Sequence, residues 1–133
     1  MLLVNARAGV SVIHGIGLIA REFIPVGTKM WVFQPAFDLA LTVEELDELS
    51  PAAREQVLHY AWLDDEWGRI LLSGDDDRFT NHSETPNTRW EGRSRSTVAV
   101  RNILPDEEIT FDYRELGGSD HLGWASYEVK CSS

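Results

Sequence analysis

The sequence predicts a single, mostly β domain of the α+β class, and three observations predict it. Short runs suited to strands lie towards both ends, at residues 11–14 and 28–33 and again at 97–101 and 109–113. One block with helical spacing interrupts them, over about residues 43–63. Strands and helices do not alternate along the chain, as a doubly wound parallel sheet requires. At 133 residues the chain supports one sizeable core and not comfortably two. No repeat or linker divides it, so residues 1–133 read as one unit with a tail at 116–133.

The elements follow in order. Ser11 to His14 carries the first apolar run, and Pro25-Val26-Gly27 supplies a turn before the second. Thr42-Val43-Glu44-Glu45 reads as a capping box, so a short helix is expected from Val43 to about Leu49. Ser50-Pro51 restarts the helix, serine as cap and proline in the first turn, where its missing N–H costs nothing. Val57, Leu58, Ala61 and Trp62 recur at helical spacing and are expected to face the core. Residues 69–73 form a short apolar run, and 75–88 is a polar stretch with Pro86, read as an ordered loop. Pro105-Asp106 turns the chain into the last strand.

Composition narrows the function. A formal charge of −10 repels phosphate backbones, so direct nucleic-acid binding is disfavoured. The acid is clustered at 44–48, 64–66, 75–77 and 106–108. Such runs read as solubilising surface or as a field that attracts a cationic partner. No apolar run is long enough for a helix to cross a bilayer. The opening MLLVNARAGV lacks the pattern of a secretory leader, which predicts a cytoplasmic location, or a nuclear one in a eukaryote. The lone cysteine, Cys131, cannot form an internal disulfide or a cysteine-rich zinc site. No two of His14, His59, His82 and His121 show ligand spacing, so no metal is expected.

Three segments carry candidate chemistry. Gly15-Ile16-Gly17-Leu18-Ile19-Ala20 fits the dinucleotide fingerprint, but Pro25 and Gly27 leave no room for the helix that must follow the glycines. A tight turn or another ligand remains. Arg78-Phe79-Thr80-Asn81-His82-Ser83-Glu84-Thr85-Pro86-Asn87 is dense in hydrogen-bonding side chains. It reads as a metal or nucleophile site only weakly, and otherwise as a loop whose Asn and His side chains tie down neighbouring backbone. The third, Glu108-Ile109-Thr110-Phe111-Asp112-Tyr113, ends a strand in Asp-Tyr.

In this order the three segments resemble the SET domain, the family of S-adenosylmethionine-dependent protein lysine methyltransferases. The resemblance runs over roughly residues 9–115. It implies a β-clip of small curved sheets in which the second and third segments meet in a C-terminal pseudoknot. It implies donor binding by Ile16, Gly17, Asn81 and His82, with Arg78 a further candidate. Tyr113 matches the active-site tyrosine, expected to orient the lysine amine and the methyl group. Phe111, Trp90 and Phe33 are the candidates to line the substrate channel. The cofactor implied is S-adenosylmethionine, leaving S-adenosylhomocysteine, and the implied partner is a lysine-containing, basic protein or peptide met by a monomer or homodimer.

Two departures from the family pattern matter. Met30-Trp31-Val32-Phe33-Gln34 lacks the tyrosine of the usual Y-x-G, and the usual cysteine after Asn-His-Ser is Glu84. With no cysteine-rich zinc lid and no pre-SET segment, Trp124 or Tyr127 is the candidate to cover the adenine. A SET-like module that binds donor or basic peptide without turnover is therefore the rival to the enzyme.

Overall fold

In the computed structural model, which describes residues 1–115, the chain opens with an antiparallel hairpin. β1 (Ala6–Val10) pairs with β2 (Ile16–Ala20), from Ala6 opposite Ala20 to Val10 opposite Ile16. The strand expected at 11–14 is instead the turn of this hairpin. The Ser11 hydroxyl accepts the N–H groups of Ile13 and His14 at 2.9 and 3.1 Å, a side-chain substitute for a strand partner. Gly15 then adopts φ +47°, where a side chain is strained. Val12, whose apolar character suggested a strand, stands 97% exposed.

β3 (Lys29–Val32) follows a turn in which Gly27 has φ +86° and Thr28 donates to the Pro25 carbonyl. β4 (Leu39–Leu41) leads into α1 (Val43–Asp47). The capping box forms as the sequence predicts. Thr42 Oγ1 accepts the Glu45 N–H at 3.0 Å, and the Glu45 carboxylate accepts the Thr42 N–H at 2.9 Å. Ser50 caps α2 (Pro51–Tyr60) by accepting the Ala53 N–H. The helix stops at Tyr60, short of the expected 63, because the next residues are claimed by a sheet. Ala61 turns extended, and β5 (Trp62–Asp64) pairs antiparallel with β6 (Arg69–Leu72), Leu63 opposite Ile70.

The stretch read as a loop contains a 3₁₀ turn, Asp76–Phe79, and the two-residue β7 (Asn81–His82). β8 (Thr88–Glu91), β9 (Ser96–Ala99) and β10 (Glu108–Phe111) are the last strands among the described residues. The strands form three small sheets, ordered β1-β2-β10-β7, β3-β9-β8 and β4-β6-β5. β10 is antiparallel to β2 on one edge and parallel to β7 on the other, with Thr110 opposite Asn81 and Phe111 opposite His82. This is the convergence that a SET-type pseudoknot requires.

Two apolar clusters hold the sheets. Leu18, Ala20, Ile24, Met30, Ala99, Ile103 and Ile109 join the first two sheets. Leu41, Leu46, Val57, Ala61, Leu63 and Ile70 pack the helices onto the third. Val57 and Ala61 thus reach the core as expected, whereas Trp62 does so from a strand and packs edge-on against Trp31 at 5.3 Å.

The acidic run 75–77 is not solvated surface. Asp75 accepts the Leu2 N–H at 2.8 Å and Asp76 the Ala8 N–H at 2.9 Å, so both cap backbone donors of the N-terminal segment. Asp77 accepts the hydroxyl of fully buried Ser73 at 2.8 Å. Asn87, 1% exposed, serves β10 in the same way. Its Nδ2 donates to the Glu108 carbonyl at 2.8 Å, and its Oδ1 accepts the Thr110 N–H at 2.8 Å.

Two outcomes are expected. Asn87→Ala leaves two backbone groups of β10 without partners, and chemical denaturation should show a loss of about 3 kcal/mol. Burial pushes the Asp77 carboxyl up to about 6, the neighbouring Asp75 adds to this, and the Ser73 hydroxyl opposes it. The folded chain therefore holds this proton more tightly than the unfolded chain does, and this contribution to stability is present at low pH and is lost as pH rises through about 6. Asp77→Asn should raise stability at about pH 8 by roughly 2 kcal/mol and change it little at about pH 4. Thermal melts of both proteins across pH check this.

Candidate functional site

The three motif segments meet at one place, and hydrogen bonds make the junction. Asn81, 6% exposed, aims its amide nitrogen at the hairpin turn. Four oxygens surround Nδ2: the carbonyls of His14 and Ile16 at 3.0 and 3.1 Å, Ser11 Oγ at 3.1 Å and Glu108 Oε2 at 3.1 Å. An amide carries only two hydrogens there, so these bonds are shared. Asn81 thereby fixes the turn at residues 11–15 and the start of β2, where Ile16 and Gly17 lie. The Ile16 side chain is 55% exposed, and its carbonyl is taken by Asn81.

The two glycines have different reasons. Gly15 has open space around it and is required for its positive φ. Gly17 is required for room: a Cβ there would sit 2.5 Å from Glu108 Oε2 and 3.1 Å from Asn81 Nδ2. The atoms closest to Gly17 are thus the protein's own polar groups. The segment after the glycines is β2, not a helix, which closes the dinucleotide reading.

His82 and Tyr113 form the second half of the site. The Tyr113 N–H donates to His82 Nδ1 at 3.1 Å, and the rings lie 5.4 Å apart. A backbone N–H can only donate, so Nδ1 holds its lone pair and a neutral ring carries its proton on Nε2. Burial lowers the His82 pKa, opposed by Asp112, whose carboxylate lies 3.7 Å from Nδ1. The ring is therefore neutral near pH 7. Asp112 is kept ionised chiefly by hydrogen bonds from Arg114, whose Nε and Nη2 donate at 2.9 and 2.7 Å.

Tyr113 is 8% exposed, and its hydroxyl donates to the Thr80 carbonyl. That commits the phenol proton, so towards any other group the oxygen can act only as an acceptor. Phe111 is buried, with its ring 6.5 Å from that of Tyr113. Ser83 N–H donates to the Phe111 carbonyl, which locks the parallel pair.

The remaining candidates lie in other contacts. Trp90 packs with Trp31 at 6.3 Å and Trp62 at 6.0 Å, as part of a three-tryptophan cluster. Phe33 meets Trp67 edge-on at 5.4 Å, and Arg95 covers the Trp67 ring at 4.6 Å. Arg78 donates from Nη2 to the Ser73 carbonyl at 2.9 Å, a bond within the 73–79 turn. Trp124, Tyr127, His121 and Cys131 lie outside the described residues. Ser11, Glu108, Thr80 and Asn87 are site-building residues that the motif comparison did not single out. Ser11 was detectable as a hydroxyl residue two positions before an exposed turn. Glu108 opens the third motif segment, but nothing in its sequence position told a motif carboxylate from the acidic run around it.

Comparison with known proteins agrees with this geometry. The SET domain family model matches residues 15–114. Among solved structures, the chain resembles the Neurospora SET domain protein DIM-5, a histone lysine methyltransferase, at 22% identity and a TM-score of 0.59, covering 84% of this chain and 53% of that one. It also resembles a humanized mutant of the Chaetomium thermophilum Polycomb Repressive Complex 2, at 18% identity and a TM-score of 0.67, covering 92% of this chain and 16% of that one. At these identities the structural likeness establishes the fold. No curated protein matches the chain.

The crowding at Gly17 predicts a coupled effect. Gly17→Ala should cost about 1–2 kcal/mol, because Glu108 must leave Ser11 and Asn81 to make room. In Glu108→Ala the same substitution should cost little, so a double-mutant cycle read by denaturation should give strong non-additivity.

Proposed function

Because the chain belongs to the SET domain family, we propose that it is a protein lysine N-methyltransferase, moving the methyl group of S-adenosylmethionine to a lysine side-chain amine. The observation that carries this reading is the junction of Asn81, His82 and Tyr113 beside the hairpin turn and the start of β2 at Ile16–Gly17, through the parallel β7–β10 pair. The turn and Asn81 would hold the donor, with His82 contributing backbone contacts while its ring holds Tyr113. The donor, when bound, supplies an activated sulfonium methyl group.

The chain's own residues then have little covalent work to do. An amine attacks a sulfonium methyl in line, so alignment is the main demand. The amine must be neutral, against a free value near about 10.4, and a dry approach beside a cation lowers that value. With its proton given to Thr80, the Tyr113 oxygen is suited to accept an N–H of the amine and orient its lone pair. This makes Tyr113 an orienting group rather than a general base. The substrate would be a lysine in a basic segment, drawn by the net charge of −10. A donor-binding module without turnover is the second reading. Phe33 favours it, because a ring without a hydroxyl, packed on Trp67, stands where many relatives place a tyrosine.

Incubating the purified chain with heavy-methyl donor and host-lysate proteins, followed by mass spectrometry, separates the two readings. Methylated lysines support the enzyme, whereas donor binding without any methylated product supports the module. Tyr113→Phe should lower turnover about 100-fold and leave donor affinity, measured by calorimetry, within about two-fold. An unchanged rate removes Tyr113 from the mechanism.

A further inference from the structure

Glu108 opens β10 with its carboxylate turned towards the hairpin turn. Both carboxylate oxygens lie 2.8 Å from Ser11 Oγ, and Oε2 also lies 3.1 Å from Asn81 Nδ2. Ser11 has one hydroxyl proton, which the carboxylate takes. Its lone pairs are then fixed towards the N–H groups of Ile13 and His14 and the Asn81 amide. The carboxylate therefore sets the direction of every hydrogen bond at Ser11, and through it the path of the backbone from residue 11 to Gly15. It also occupies the space that a Cβ at Gly17 would need. Glu108 and Ser11 are 97 residues apart, so this link adds a side-chain tie between the turn and the third motif segment to the β2–β10 pairing.

We propose that Glu108 is a positioning residue for donor binding. Together with Ser11 it holds Asn81 and the backbone of residues 14–17 in the shape that receives the donor. This rests on the functional reading above. Glu108 acts through the turn, so its loss should be felt in donor affinity and in the order of the turn, and not in recognition of the lysine substrate. It also explains why an acidic residue is placed at this point of an acidic run: its role is the acceptance of two short-range hydrogen bonds, not the general field.

The test compares wild type with Glu108→Ala, Glu108→Gln, Ser11→Ala and a core control, Ile103→Val, which lowers stability without touching the turn. S-adenosylhomocysteine affinity is read by calorimetry, and amide exchange at Ile13 and His14 is read by NMR without any donor. Glu108→Ala should weaken affinity about ten-fold or more and speed exchange at both amides to a similar degree, with the KM for an acceptor peptide within about two-fold. Ser11→Ala should follow it. Glu108→Gln, which restores an acceptor, should recover affinity to within about three-fold of wild type. The proposal is overturned if Glu108→Ala binds donor like wild type, or if Ile103→Val weakens donor binding equally at the same loss of stability. Should the wild-type chain bind no donor, the functional reading fails. The exchange rates then decide the remainder: faster exchange in Glu108→Ala upholds Glu108 as organiser of the turn, and unchanged exchange overturns that too.

Discussion

Everything in this molecule depends on β10 being paired on both edges. β2 holds one edge antiparallel and β7 the other in parallel, although β7 is only two residues long. A strand pair that short has little ladder energy of its own. Side chains supply the rest: Asn87 bonds the Glu108 carbonyl and the Thr110 N–H, Thr88 donates to the Thr110 carbonyl, and Ser83 reaches the Phe111 carbonyl through its own N–H. The polar loop after β7 is thus a set of clamps on one strand. Because β10 carries Glu108, Phe111 and the approach to Tyr113, the clamps also place the site.

Charge is distributed with the same economy. Of the acidic clusters, Asp75 and Asp76 cap backbone donors, Asp77 accepts the Ser73 hydroxyl, and Asp64 accepts the Arg95 guanidinium at 3.0 Å with its side chain almost fully covered. A buried pair of this kind stabilises little by itself, but it fixes geometry. Arg95, which has φ +45°, is held over Trp67 by that contact. Among the described residues, exposed acid remains on and beside α1, in the Asp65–Glu66 turn and at separate positions such as Glu84 and Asp106.

The sequence made the helices legible because their signals are local. Thr42 with Glu45, and Ser50 with Pro51, satisfy donors within three residues, and both caps form as read. The strands were harder. Val12 and Ile13 looked like a strand because apolar residues were adjacent, yet no partner strand reaches them and Ser11 closes the turn instead. β1, β2, β4, β5, β7 and β8 were missed, since each is short and defined by the strand it pairs with. The site followed the same division. Asn81, His82 and Tyr113 were legible as motif positions, and the structure brings them together. That the Asn81 amide would serve the turn, that the His82 ring would hold Tyr113, and that Trp90 and Phe33 would join separate aromatic groups depended on three-dimensional partners that no local pattern encodes.

The late position of β10 has a consequence for how such a chain is made. During synthesis the hairpin β1–β2, the helices and β7 all leave the ribosome before the strand that joins them exists. Until then, β2 presents one unpaired edge and Asn81 has no carboxylate to share. Contacts of such long sequence separation close slowly, because loop entropy must be overcome first. The nascent protein therefore passes through an interval in which residues 1–107 are present and the three motif segments have not yet met. Premature termination anywhere before residue 108 would leave an open sheet edge, a template for aggregation.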